Sequence, residues 1–270
     1  MSAIDLFLFL VTGMVAGTLA GLMGIGGGIV YVPVLVWYLE RLGASPAVVP
    51  MVAVTSSLAI IVASAPQAAW GHWKTNNVHA GLLPPLLLGG AMAAWGASWV
   101  LAHLSAGPFK IYLGVFQLFI AWRLLASPQA QPDNPSGPPS RWLLLAIGLA
   151  AGFVAAFFGV GGGLVLVPLL HLAAKVPLRP SVGTTSVFIV GSTAVALAAN
   201  MAHTAFMPGL PPQTWGGLYL PAVLAILSTA MVFNRLGAAL IHHVPVLLLK
   251  RMMAAMVLGI SLMSLWRASL

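Results

Sequence analysis

Long apolar runs alternate with short polar breaks along the chain, and the breaks divide it into two sets of five. The first set is Ile4–Leu22, Ile29–Leu39, Ala47–Trp70, Ala80–Ala102 and Phe109–Leu125. The second is Trp142–Phe158, Leu164–Ala174, Ser181–Ala205, Trp215–Phe233 and Val246–Trp266. At a rise of about 1.5 Å per residue, Ile29–Leu39 and Leu164–Ala174 are too short to cross an apolar layer about 30 Å thick. Each is predicted to be a half-helix that turns at glycines, a backbone tolerated at membrane depth only where protein buries it or it lines a wet cavity. Between the sets, Ser127–Ser140 is rich in proline and serine and reads as an extended, solvated linker. The pattern predicts a first membrane repeat over 1–126, a linker over 127–141 and a second membrane repeat over 142–270.

The two sets share more than rhythm. Gly17–Pro33 (GTLAGLMGIGGGIVYVP) returns as Gly152–Pro168 (GFVAAFFGVGGGLVLVP) at a constant offset of 135, since 161 − 26 = 168 − 33 = 135. Each copy is an apolar run broken by Gly-x-Gly-Gly-Gly and closed by proline. The hydroxyl cluster Thr55-Ser56-Ser57 is answered by Thr184-Thr185-Ser186, with Thr55 and Thr185 separated by 130, as are Pro50 and Pro180. A duplicated, glycine-interrupted hydrophobic segment points to the binding site of a transporter. An odd number of segments per half makes the repeats inverted relative to each other.

Composition fixes the solvent. Hydrophobic residues make up 60% of the chain and charged residues 5%, against roughly 45–50% and about 25% in a soluble domain. So little charge cannot cover a hydrated surface, and the runs are continuous rather than alternating as in a barrel strand. The fold class is an all-α polytopic membrane protein. The first apolar run carries Asp5 as its only early charge, which reads as a retained membrane segment rather than a signal peptide.

The net charge of +8 comes from single bases at segment ends. That argues for topology and contact with anionic membrane lipid rather than nucleic acid, and it leaves a positive field suited to an anionic substrate. Across the ten segments, Lys74, Arg123, Arg141, Lys175, Arg179, Arg235, Lys250 and Arg251 fall on one side and Arg41, Lys110 and Arg267 on the other. Eight against three places the linker in the cytoplasm and both termini outside. Counting each glycine-broken pair as one crossing gives a weaker seven against four. Trp37, Trp70, Trp73, Trp122, Trp142 and Trp266 stand at segment ends, where interfacial anchors belong. A homo-oligomer is compatible with this layout.

Chemistry has few places to sit. The acids are Asp5, Glu40 and Asp133, none in the middle of a span, and there are no cysteines. Neither glycine turn continues as a dinucleotide fingerprint or a phosphate loop, and no Gly-x-Ser-x-Gly is present, so an enzyme is not expected, nor a cofactor. Gly13, Gly17 and Gly21, like Gly148 and Gly152, recur every four residues and suit close helix packing. The triplets Gly26–Gly28 and Gly161–Gly163 instead break a helix and free backbone donors near a half-helix N-terminus, where anions bind. Thr55, Ser56, Thr185 and Ser186 supply side-chain donors, unless each bonds back to the carbonyl four residues earlier. Gln67 and Asn200 are further polar candidates. His72 and His203 close matching segments and are candidate gate or proton-relay residues. His242-His243 reads as an interfacial pair rather than a metal site, and Lys110 and Lys250 as repeat-equivalent snorkelling bases.

The duplicated Gly-x-Gly-Gly-Gly…Pro segment, the Thr/Ser cluster after each copy and the central linker together resemble the TauE/SafE family of membrane transporters, also called sulfite exporters or TSUP proteins. The resemblance covers essentially the whole chain. It implies a plasma-membrane permease, usually bacterial, that moves small sulfur-containing or organic anions such as sulfite, sulfoacetate or related sulfonates, mostly outward. A passive channel for small anions or neutral solutes is the alternative reading. A membrane-embedded structural subunit is a third, and it would have no need of two matched polar clusters.

Overall fold

A computed structural model describes residues 2–23, 26–126, 139–205, 207–240 and 246–268. Its helices fall where the apolar runs do. They are α1 (Ala3–Met23), α2 (Gly28–Arg41), α3 (Val49–Lys74), α4 (Leu83–Ala102) and α5 (Ala106–Ala126), then α6 (Arg141–Phe158), α7 (Gly163–Pro168), α8 (Leu178–Thr204), α9 (Leu220–Leu240) and α10 (Val246–Ala268). Among the described residues, six helices are long and apolar enough to cross a membrane: α1, α3, α4 with the turn before it, α6, α8 and α9. Large apolar side chains remain exposed along the bundle, including Trp70, Trp122, Trp142 and Trp266 at helix ends. An all-α polytopic membrane protein is what this surface requires.

The short segments are half-helices. The 14 residues of α2 reach about 21 Å. The six residues of α7 run on through a five-residue π-helical turn, Leu169–Ala173, to about 16 Å together. The glycine turns stand at their inner ends, where α1 and α6 also finish.

The halves are interlocked rather than side by side. α1 packs along α9 and α6 along α4, while α3 lies against α8 and α5 against α10. Glycine permits the closest approaches. A Cβ on Gly17 would meet the backbone of Ala230, one on Gly148 the backbone of Leu86, and one on Gly152 the backbone of Gly90. Contacts of 86 with 148 and 90 with 152 make α4 and α6 parallel. Contacts of 17 with 230 and of 18 with 237 do the same for α1 and α9. Following the short connections from there, the C-terminal ends of α3, α5 and α9 and the starts of α4, α6, α8 and α10 share one face. Ala126 and Arg141 flank the linker on that face, which is called the linker end below. At the opposite end, Glu40 of α2 and Lys110 of α5 form an ion pair at 3.0 Å, and Lys110 Nζ also donates to Arg267 O at 3.0 Å.

One element differs from expectation. Trp215–Phe233 reads as a single apolar run, yet Thr214–Trp215 and Leu218–Tyr219 form a small antiparallel hairpin, and α9 starts only at Leu220. Gly216 and Gly217, at φ of +55° and +82°, make the turn and stop helix formation there.

Candidate functional site

The two glycine turns touch. Gly26 sits at φ +83°, Gly27 caps α2, and a Cβ on Gly28 would strike the carbonyl oxygen of Gly159 and come within 2.7 Å of Val160 Cα. In the second turn Gly159, Gly161 and Gly162 all have positive φ, and Gly162 caps α7. Ser57 Oγ of α3 fastens the crossing by donating to Gly159 O at 2.7 Å. Helix geometry leaves first-turn N–H groups without intrahelical partners and makes that end positive. Neither Gly27 nor Gly162 offers a side-chain cap to satisfy them. Gly163 is buried at the first position of α7.

The hydroxyl clusters flank these turns from both sides, and their donors are partly committed. Thr55 Oγ1 donates back to Met51 O at 2.6 Å and Ser186 Oγ to Val182 O at 3.0 Å, the local bond that serines and threonines in helices make by default. Ser56 Oγ accepts the backbone N–H of Tyr219 at 2.9 Å, so the hairpin before α9 is tied to α3. Thr184 Oγ1 likewise accepts the N–H of His79 at 3.0 Å, tying the connection before α4 to α8. Thr185 Oγ1 is buried with no partner among the described residues.

A narrow cleft, with about 30 Å³ of room for water-sized occupants, opens beside the turns. Gly26, Ser64, Ser186 and Asn234 give it polar wall, and Ile61, Ile189 and three alanines give it apolar wall. Gly161 faces the same place, since a Cβ there would lie 3.3 Å from Ile189 and 3.7 Å from Ile61. The cleft thus joins Gly26, Gly161 and Ser186, all predicted from the sequence, with Ser64 and Asn234, which were not. Asn234 Nδ2 reaches Ser64 O at 3.5 Å. Ser64 lies seven residues after Ser57, on the same helix face, and Asn234 is a lone amide in an apolar helix. Both signals were available in the sequence.

The remaining candidates lie at the two ends. Gln67 is at the linker end, where its Oε1 accepts Arg235 Nε at 3.1 Å. His72 stands in the last turn of α3 at that same end. Asn200 and His203 are at the opposite end of α8. Asn200 Oδ1 accepts Ser98 Oγ at 2.6 Å, and its buried Nδ2 has no partner among the described residues. His203 Nδ1 is 2.8 Å from Ala199 O and 3.2 Å from Ser98 Oγ. The carbonyl can only accept and Ser98 gives its proton to Asn200, so Nδ1 carries the hydrogen in this arrangement. His72 and His203 are not brought together. His242-His243 and the linker residues 127–138 lie outside the described residues, as does the side chain of Lys250.

Apolar helices long enough to cross a membrane, two glycine turns in contact and a cleft beside them suit a membrane transporter. The chain belongs to the sulfite exporter TauE/SafE family, whose model matches residues 9–264. It is similar to "Probable membrane transporter protein YunE" of Bacillus subtilis, at 26% identity over 80% of this chain and 87% of that one. It is similar also to a "Probable membrane transporter protein" of Haemophilus influenzae, at 26% identity over 91% and 92%. A third relative is "Probable membrane transporter protein MJ0441" of Methanocaldococcus jannaschii, at 25% over 72% and 73%. No solved structure matches the chain.

Proposed function

We propose that the protein is an inner-membrane exporter of a small sulfur-containing or organic anion, such as sulfite, sulfoacetate or a related sulfonate. The observation that carries this is the meeting of Gly26, Gly161 and Ser186 in one cleft with no charged lining residue, beside the start of α2. Backbone and hydroxyl donors bind oxyanion oxygens without burying a full countercharge, which suits a ligand that must also leave. The family name supports sulfite as the first anion to test.

Two further readings go with it. Exchanging the halves (α1 for α6, α3 for α8, α4 for α9, α5 for α10) leaves the principal helix pairings unchanged, which supports inverted repeats about the glycine turns. Eight bases at the linker end against three opposite support a cytoplasmic linker with both termini outside. A cysteine at Ser136 and one at the C-terminus should then label from opposite faces. The three acids leave no carboxylate in the middle of a span, and Glu40 is paired with Lys110. An anion leaving a negative interior gains about 2.3 kcal/mol per charge per 100 mV, so export can run on the potential alone.

Counterflow in proteoliposomes tests the reading. Labelled sulfite or sulfoacetate should accumulate transiently against unlabelled anion inside, and the flux should saturate. Linear, non-saturating flux that also admits neutral solutes would establish the channel instead.

A further inference from the structure

At the linker end the walls of the cleft are α3 and α9; one turn beyond the bond of Asn234 Nδ2 to Ser64 O, Arg235 Nε donates to Gln67 Oε1 at 3.1 Å. Gln67 precedes Ala68 and Arg235 follows Asn234, and both Ala68 and Asn234 line the cleft. The bond therefore spans the mouth. Asn234 is buried whereas Arg235 is exposed, so the guanidinium stands where the cleft meets solvent or headgroups. Its two Nη nitrogens have no partner among the described residues, where the one ion pair is Glu40–Lys110 at the other end of the bundle.

A guanidinium is a planar fork with five N–H donors, and the edge that carries the Nη pair matches an oxyanion bidentately. Holding Nε fixes that plane. An arginine that merely snorkels to a headgroup needs no such tether and spans no cleft. Inward from the fork, the polar groups are uncharged: Ser64 one turn before Gln67, then Asn234, Ser186 and Gly26. A cation at the mouth and uncharged polar groups within would concentrate anions at the entrance without trapping them inside.

We propose that Arg235, aligned by Gln67, captures the transported anion at the linker-end mouth of the cleft and selects it by charge. Arg235 makes the first contact, and Gln67 is a positioning residue. The inference rests on the proposed anion transport and names the residue that gives that site its charge preference.

The absence of cysteine makes a clean test available, because Arg235→Cys carries the chain's only thiol. The variant is alkylated in detergent, then reconstituted, and labelled sulfoacetate and sulfite fluxes are measured. Unmodified Arg235→Cys should raise KM by about tenfold or more with kcat little changed, the loss of one charge-assisted hydrogen bond. Bromoethylamine, which restores a cation, should recover most of the wild-type KM; iodoacetamide should not, and iodoacetate should worsen it. Gln67→Ala should raise KM less, and Arg251→Gln, a change at another exposed base of that end, should leave KM within about twofold. A purely structural role for Arg235 predicts responses blind to the sign of the added group, and that result would overturn the proposal while wild-type transport stands. A wild type that moves neither anion nor any related sulfonate defeats the transport reading and this inference with it.

Discussion

The two ends of the bundle carry matched sequence and unmatched structure. At the end opposite the linker, Ser56 is occupied by the hairpin N–H of Tyr219, and Asn200 by Ser98. At the linker end Ser186 holds only its local bond to Val182 and lines an open cleft with Ser64 and Asn234. The near-identical motifs thus differ at one position: Ser56 is covered by a tertiary partner and Ser186 is not, while Thr184 beside it takes the N–H of His79. The same contrast holds along the half-helices. Pro33 lies within a continuous α2, whereas Pro168, its counterpart at an offset of 135, ends α7 and hands over to a π-helical turn.

The largest effect that can break this comparison is at the crossing of the turns. Gly28→Ala drives a methyl into the backbone of Gly159 and Val160 and should abolish folded, membrane-inserted protein, measured as the monodisperse yield in detergent. Gly26→Ala meets only Val160 O at 3.4 Å and pays chiefly for its positive φ. Its cost should be about 1–2 kcal/mol, with folded protein still recovered. Equal yields would show that the turns are not in contact.

Next in size is the bond that fastens the crossing. Ser57→Ala leaves the buried carbonyl of Gly159 unpaired, which should cost about 1–3 kcal/mol, read as a lower unfolding midpoint in denaturant. An unchanged midpoint would remove Ser57 from the crossing.

A smaller difference should separate the two serines that the repeat makes equivalent. Ser56→Ala releases the hairpin that closes the far end, and thermal stability should fall. Ser186→Ala removes a helix-internal bond that contributes little and should instead change KM for the anion. Parallel changes in both variants would mean that the ends do not differ.

Much of this was legible in the sequence. Apolar runs give helices because lipid permits little else, and three consecutive glycines cannot continue one. The half-helices and the packing faces of Gly17, Gly148 and Gly152 follow from that. The hairpin at Trp215 was hidden because Trp215, Leu218 and Tyr219 are as apolar as a helix, and only Gly216-Gly217 marked the turn. Which serine a tertiary partner covers was also hidden. Ser56 and Ser186 are equivalent by offset, and only tertiary contact with Tyr219 tells them apart. Ser64, Asn234 and Arg235 have no repeat partner to draw the eye, so duplication pointed past them.

The most direct test of the account is substrate-protected labelling of two single-cysteine variants, Ser186→Cys and Ser56→Cys, in proteoliposomes with a thiol reagent presented at the linker end. The account predicts that Ser186→Cys reacts and is slowed by sulfoacetate in proportion to occupancy, while Ser56→Cys stays unreactive. Equal labelling of both, or labelling of Ser186→Cys that no transported anion slows, would contradict a substrate cleft open at the linker end.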